Sequence, residues 1–303
     1  MKISICMCTY NGEKFIREQL NSILAQTICP NEIIIFDDCS TDDTVKVIRD
    51  FINTTSSIDW KLFINKSNEG WKMNFHSAIN EATGDYIFLS DQDDIWELTK
   101  VANMIETMND NPNIDVLTCN QVIWYEESSK FVRKFKNDFS LEKIVDCKYL
   151  LFTARPGCVY CIKKDFIKEF NKFWDPAFPH DSLLWKLAYL KGTLYNLNFY
   201  GIKWRRHNDN ATGKTKRIIS YENVNTHYQI ILLYISIMNK IKNWERITEK
   251  NELYLQDAVN MLTIRRNLYE NRKVTDYLKL IRYIKFYASN KAFLLDGLVF
   301  FIR

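Results

Sequence analysis

A chain of 303 residues, 47% apolar and 26% charged, can bury one sizeable core or two modest ones. With 8 Gly and 5 Pro it is neither collagen-like nor intrinsically disordered, and it has little material for long flexible linkers. The net charge of +4 is unevenly spread: residues 1–213 hold 25 Lys/Arg against 29 Asp/Glu, the remainder 16 against 8, so the basic character is C-terminal.

The first predicted element is a buried strand, ISICMCT. Its apolar run stops at Thr9, Tyr10 and Asn11, too short for a secretory leader. No later window approaches the roughly 18 apolar residues that span a bilayer, so a cytoplasmic chain is expected. Residues 13–26 carry Phe15, Ile16, Leu20, Ile23 and Leu24 at helical spacing, and EIIIFDD is a second strand ending in carboxylates. That β–α–β order implies a parallel sheet. Residues 41–51 read as a helix capped by Ser40 or Thr41, WKLFIN as a third strand, and 71–82 as a helix ending before Gly84. DYIFLS is a fourth strand that runs into DQDDIW. Ligands of open α/β sheets bind outside the carboxyl ends of the strands, where both acidic clusters fall.

Next come a helix over 99–109, a strand over 116–124, and GCVYCIKKDFIKEF, a strand passing into a helix. The eight cysteines sit in apolar surroundings and read as buried thiols of a reducing compartment; Cys158 and Cys161 form a lone C-x-x-C, which argues against zinc. Residues 181–191 read as helical, TLYNLNFYGIKWRRH as extended, and the chain from Ser220 onward as helical almost throughout. The plan is an α/β domain over 1–213 and a basic helical region over 214–303.

Chemistry concentrates in SDQDDIW. Asp91, Asp93 and Asp94 repel one another, and a divalent cation resolves the repulsion. Oxygen ligands suit Mg²⁺ or Mn²⁺, which take one or two carboxylates and complete their shell with water and phosphate oxygens. Alone, D-x-D is a weak signal, because acidic loops contain it by chance.

The CTYNG turn, the DDCSTDDT run and NEGWKMNFHSAINEATGDYIFLSDQDDIW resemble, in order and spacing, the family 2 glycosyltransferases of the GT-A fold. The likeness is close over residues 3–100, looser over 150–210, and does not reach the C-terminal helices. It implies a GT-A, Rossmann-like α/β fold with a mostly parallel central sheet. It also implies that Tyr10 stacks on the nucleotide base and Asp38 hydrogen-bonds it, with Thr9, Asn11, Asn68 and Gln92 in the same nucleotide-sugar site. From the residues alone, Tyr10 also reads as a turn residue and Asp38 as a helix cap. By the resemblance Asp91 lies near the ribose and the metal, Asp93 is the principal ligand of Mn²⁺ or Mg²⁺, and Asp94 supports them. The cation would stabilise the departing nucleoside diphosphate.

FPHDSLLWKLAYLKG matches the place of the family's catalytic Asp at a helix start, which implies Asp181 as general base, with His180 orienting the acceptor. Capping its own helix is the alternative for Asp181. KWRRHNDNATG puts His207 where some members supply a metal ligand, and Arg205 or Arg206 where a guanidinium would pair with the diphosphate. DQDDIW, the H-D pair and the R-R-H-N run look most like bacterial rhamnosyltransferases. The implied reaction is inverting transfer of a sugar, rhamnose on this likeness, from a dTDP- or UDP-linked donor to a hydroxyl of a growing, lipid-linked cell-surface glycan.

Two rivals stand beside it. A sugar nucleotidyltransferase would carry a Gly-rich, basic loop after the first strand, which CTYNGEKF lacks. A non-catalytic carbohydrate-binding or assembly module would have no need of the acidic triplet and Asp181. The tail RYIKFYASNKAFLLDGLVFFIR fits a peripheral contact with the membrane surface, or core packing and a homo-oligomer. Nucleic acid is not expected, since no nucleic-acid fold accompanies the basic residues.

Overall fold

The apolar run of β1 (Ile3–Thr9) is buried everywhere except at Cys8, as a parallel strand covered on both faces must be. α1 (Ile16–Leu24) turns Ile16, Leu20 and Ile23 inward, and β2 (Glu32–Asp37) pairs parallel to β1. α2 (Thr44–Thr54) leads to β3 (Asp59–Ile64), parallel to β2. α3 (Trp71–Glu81) packs on β1 and β2 and delivers β4 (Tyr86–Ser90) to the other side of β1. The direction of strand addition therefore reverses between β1 and β4, which opens a crevice at their carboxyl ends. This computed structural model describes residues 1–55, 57–207 and 221–301.

Beyond β4 come β5 (Ile95–Trp96), α4 (Lys100–Asp110), β6 (Val116–Tyr125), β7 (Lys130–Val132), β8 (Leu141–Lys143) and the one-turn α5 (Lys148–Leu151). A 3₁₀ turn at Gly157–Val159, β9 (Tyr160–Lys163), α6 (Ile167–Phe173), α7 (His180–Lys191) and β10 (Leu194–Arg206) follow. The sheet runs β3-β2-β1-β4-β9-β6-β10-β5, with β7 and β8 added at β6 and β10. β9 is antiparallel to both β4 and β6, while β10 is parallel to β6. This is the mostly parallel α/β sheet expected from the sequence.

The expected cap of α2 is not formed. The Ser40 amide and hydroxyl both donate to Asp37, at 2.8 and 2.6 Å, and the Thr41 amide donates to Asn11 Oδ1 at 2.8 Å. Spent on holding two loops together, these residues leave the helix to begin at Thr44.

The sheet belongs to one unit, Met1–Lys143 with Arg155–Leu184 and Thr193–Asn210; a second comprises Ile144–Ala154, Trp185–Gly192 and Ala211–Arg303. The second unit is helical, with α8 (Tyr221–Ile241), α9 (Glu249–Asn271), α10 (Val274–Leu280), a 3₁₀ segment at Ile281–Phe286, and α11 (Asn290–Gly297). Thr248 caps α9 by accepting from the Asn251 amide. Asp296, 2% exposed, takes two bonds from Arg265, at 2.7 and 2.9 Å, and the hydroxyls of Tyr269 and Tyr287. No described helix is long and apolar enough to cross a membrane.

The parallel strands of the first unit are tied at their amino ends by one buried carboxylate. Glu32 on β2 accepts from the Ser4 hydroxyl on β1, from the Thr83 amide and hydroxyl at 2.6 and 2.8 Å, and from Lys61 on β3 at 3.1 Å. Gly84 completes the knot; a Cβ there would lie 2.5 Å from Ser4 Oγ. Burial opposes the charge of Glu32, but these donors together pull its pKa down to about 2. With the folded value below the unfolded one, this stabilisation is complete above about pH 4.3 and fades as pH falls toward about 2. Glu32→Gln should therefore cost about 2–3 kcal/mol at neutral pH. Urea unfolding across that range should show the variant and the wild type converging in acid. A gap that stays constant down to low pH would show that the charge of Glu32 is not what ties the strands.

Candidate active site

The carboxyl ends of β1, β2 and β4 bring three loops together. After β1, Asn11 takes a positive φ of 46° and the turn closes on Gly12, whose Cβ, if it had one, would fall 2.3 Å from Gln92 Oε1. Gln92 fills that space and bonds the Tyr10 backbone twice: its Oε1 accepts from the amide at 2.8 Å and its Nε2 donates to the carbonyl at 3.0 Å. The β1 and β4 loops are thereby locked across the switch point, with the Tyr10 side chain left 48% exposed. Thr9 donates to Asp37 at 2.8 Å, and the Asn11 amide donates to Ser40 at 2.9 Å. Asp38 accepts from the Asn65 side chain and from the Glu69 and Gly70 amides at 2.7–3.0 Å. It so fastens the loop that carries the exposed Asn68.

The acidic triplet follows β4. Asp94 is fully buried; its Oδ1 accepts from the Arg205 amide at 3.1 Å, and its Oδ2 has no hydrogen-bond partner. Burial, then the charges of Asp93 and Asp91, hold its carboxyl well above the usual range. Asp91 is pushed up as well, by burial first, then by Asp93, with Asp181 adding to the same effect. Sequence neighbours and a helix start far along the chain thus share one electrostatic environment.

Asp93 meets His207 at the end of β10, with Oδ2 and Nε2 at 2.8 Å. Roughly 3 Å is the separation of adjacent donors on an octahedral cation with bonds of about 2.1 Å, so this oxygen and nitrogen fit one Mn²⁺ or Mg²⁺ ion. Asp91, Asp94 and Cys158 offer a second group of ligand atoms, all within 4.8 Å of one another. Burial and the two aspartates push the Cys158 thiol far up, and a protonated thiol is a poor ligand. The donor chemistry therefore favours Asp93 and His207.

Asp181 stands in the first turn of α7, where its Oδ1 accepts from the Ser182 amide at 2.7 Å. Gly157 lies against it: a Cβ there would be 3.2 Å from Asp181 Cβ and 3.7 Å from its Oδ2, so the missing side chain keeps space beside that oxygen. His180 is 3% exposed, stacks on Phe75 at 4.2 Å, and has no hydrogen-bond partner at either ring nitrogen. Burial lowers its pKa to about 4, which keeps the ring neutral.

Arg205 departs from the expected diphosphate contact. Its side chain is 3% exposed and lies over the rings of Phe15 and Trp124. Its guanidinium donates to the Asp93 carbonyl at 2.8 Å, to Glu126 at 2.8 Å and to Glu18. It is a clamp on the backbone of the acidic loop. Arg206 is partly exposed and stacks on Trp204 at 4.8 Å. Asn208 of the R-R-H-N run, and the rest of KWRRHNDNATG after it, lie outside the described residues.

Sequence reasoning did not single out Lys100. It is fully buried, donates to the Cys158 carbonyl at 2.8 Å, and lies 3.4 Å over the Trp96 ring. Its charge lowers Asp91 against the other influences. A signal existed: Lys100 shares the inward face of α4 with Val101, Met104, Ile105 and Met108, and a lysine on an apolar face needs an acceptor or an acid below it.

The profile described as Glycosyl transferase family 2 matches residues 4–170. The chain is 37% identical over 172 residues to the dTDP-rhamnosyl transferase RfbG of Shigella flexneri, which covers 55% of this chain and 57% of that protein. It is 27% identical over 209 residues to an uncharacterized glycosyltransferase of Rickettsia prowazekii, covering 68% of this chain and 64% of the relative. The chain thus matches little more than half the length of RfbG. Among solved structures, S. aureus TarS 1–349 in complex with UDP-GlcNAc superimposes with a TM-score of 0.66 at 19% identity, over 94% of this chain and 78% of that one. GalNAc-T7 with UDP, GalNAc and Mn²⁺ gives 0.57 at 13% identity, over 85% and 55%. Both are likenesses of fold.

Removing the clamp should be costly. Arg205→Ala leaves Glu126 only Lys14 at 3.5 Å and unties the Asp93 backbone, so unfolding free energy should fall by about 3 kcal/mol. Chemical denaturation measures this, and hydrogen exchange should rise at residues 91–95. An unchanged midpoint together with unchanged exchange would show that the loop does not depend on the guanidinium.

Proposed function

The chain belongs to glycosyl transferase family 2, and from that membership we propose that it is a metal-dependent, inverting glycosyltransferase acting from a nucleotide sugar onto a hydroxyl of a cell-surface glycan. The observation that carries this reading is the meeting of Asp93 and His207, 114 residues apart in sequence and 2.8 Å apart at the carboxyl edge of the sheet. Asp93, His207 and Asp91 would hold Mn²⁺ or Mg²⁺. Bound there, the cation supplies Lewis acidity that offsets charge on the departing nucleoside diphosphate.

The chain's own groups do the rest. The exposed Tyr10 ring offers a face on which a base stacks, and the Asp38 carboxylate beside it an acceptor for a ring N–H. Thr9, Asn11 and Gln92 hold the turn in which Tyr10 sits, and Asn68 rides on the loop that Asp38 fastens. Arg206 is the guanidinium near this edge that supports the diphosphate role better than the buried Arg205. Asp181 takes the proton from the acceptor hydroxyl through Oδ2, since Oδ1 is engaged by the Ser182 amide. The acceptor oxygen so deprotonated attacks the anomeric carbon from the face opposite the nucleoside diphosphate, which departs, and the centre is inverted. The neutral, buried His180 packs behind Asp181 and fixes the start of α7.

The donor is dTDP-rhamnose on the strength of the similarity to RfbG. UDP-linked sugars are the second class, on the weaker ground of fold likeness to a protein solved with UDP-GlcNAc. The acceptor is a growing, lipid-linked glycan, and the reaction is cytoplasmic.

Asp181→Asn should lower turnover by roughly 10²- to 10⁴-fold while leaving donor affinity in Mn²⁺ unchanged by calorimetry. Asp93→Asn and His207→Ala should instead lose the dependence of donor binding on Mn²⁺, and adding EDTA to the wild type should mimic them. Full turnover in Asp181→Asn would remove that residue from the mechanism. Donor binding equally strong with and without Mn²⁺ in the wild type would remove the cation.

A further inference from the structure

The second unit carries a feature that sugar transfer does not use. Along α10 and the 3₁₀ segment after it, Val274, Leu278, Ile281 and Ile284 are 59%, 56%, 52% and 43% exposed. Spacings of four, three and three residues put them in one stripe. The opposite side of the same segment is the buried one, with Asp276, Leu280, Tyr283 and Phe286. The helix therefore has an interior face already, and the aliphatic stripe is a second, outward one. Branched side chains exposed in a row are unusual on a surface facing water alone.

The charges around the stripe all have one sign. Between residues 272 and 300 every exposed charged side chain is basic: Arg272, Lys273, Lys279, Arg282, Lys285 and Lys291. The two carboxylates of that stretch, Asp276 and Asp296, are 6% and 2% exposed. Asp276 is paired with Lys279 at 2.8 Å, and Asp296 with Arg265 and two tyrosines. Asp257 on α9, 3.3 Å from Lys285, is an acid that reaches this rim from outside the stretch. Basic residues bordering exposed aliphatics on an otherwise acid-free segment match one solvent interface: phosphate headgroups for the charges and the acyl boundary for the side chains between them.

We propose that α10 and the following 3₁₀ segment are a docking face for an anionic lipid bilayer, holding the chain peripherally at the membrane surface. A second copy of the chain is a poorer occupant, because the exposed charges bordering the stripe are basic and pairing two copies through it sets basic side chains against basic side chains. Nucleic acid is poorer still, because four exposed aliphatics offer a phosphodiester backbone neither hydrogen bonds nor a stacking surface. This inference rests on the second unit alone and stands whether or not the chain transfers a sugar.

The test is sedimentation of the full chain with vesicles of phosphatidylcholine alone and of phosphatidylcholine mixed equally with phosphatidylglycerol. Binding is expected on the mixed vesicles only, falling as salt rises, because headgroup attraction is screened within about 10 Å at 0.1 M. Lys273→Glu with Arg282→Glu should weaken binding by roughly twenty-fivefold or more, at about fivefold or more per basic residue. Leu278→Ser with Ile281→Ser should weaken it on the same vesicles without changing its salt dependence. All four positions are exposed, so melting temperatures of both double variants should match the wild type and exclude misfolding. No binding to the mixed vesicles at low salt, or binding that neither double variant weakens, overturns the proposal. So does a concentration-dependent dimer that Leu278→Ser with Ile281→Ser dissolves while vesicle binding is absent, since that assigns the stripe to self-association.

Discussion

The first unit is organised around mutual repulsion among carboxylates. Asp91, Asp93, Asp94 and Asp181 share one edge of the sheet, close enough for Asp93 and Asp181 to add to the effect of burial on Asp91, and for Asp93 and Asp91 to do the same to Asp94. Such a group cannot be assembled by the acids themselves; each must be held by something that gains more than the repulsion costs. Three devices do this. Arg205, buried between two aromatic rings, grips the carbonyl of Asp93 and gives its amide to Asp94. Lys100, bonded to the Cys158 carbonyl, supplies an opposing charge, and Gln92 ties the loop to the Tyr10 backbone. The clamps act mostly on backbone, so they position the carboxyl groups while leaving side-chain oxygens uncommitted. Oxygens held in place in this way are what a cation site requires.

The same logic explains why β10 is long. Its 13 residues start beside Val116 in the depth of the sheet and end at Arg206, beyond the level at which β4 stops. The bulges near Tyr200 absorb the irregularity of that length, and pairing of Ile202 with Trp96 binds the strand to the segment just after the acidic loop. One strand therefore delivers both the clamp and, one residue past its end, the imidazole that meets Asp93.

Much of this was legible beforehand, and what was not has identifiable causes. Strands β1, β2 and β4 are near-continuous apolar runs and α1 has a 3.6-residue stripe, so the alternation of elements and the parallel sheet could be read directly. Asp91 and Asp93 announced themselves because charge repulsion is visible in one dimension. Arg205 did not, since a WRRH run looks like solvated charge; only pairing with β6 and β5 shows that it points into the protein between Phe15 and Trp124. The cap of α2 was misread for a related reason. Ser40 and Thr41 have the right chemistry at the right distance from a helix, but Asp37 and Asn11, which compete for their donors, become neighbours only when the β1 and β2 loops meet. The margin strands β7 and β8, three residues each, leave no periodicity long enough to read.

The chain also contains its own standard for what a structural carboxylate looks like. Glu32 has five protein donors from three segments besides its own strand, and Asp296 has two bonds from Arg265 and two tyrosyl hydroxyls. Asp37 takes three donors of its own. In every one of these the cost of burying a charge is met by bonds the protein makes to itself. The triplet after β4 breaks that rule in the same fold: Asp94 keeps a buried oxygen without a partner, and Asp93 faces an imidazole that, when neutral, is itself a metal ligand. Leaving the Asp94 oxygen unpaired costs stability, and a cation bound among these acids would offset that cost. The contrast thus points to the site without reference to motif or family, because it arises from hydrogen bonds present in one place and missing in another.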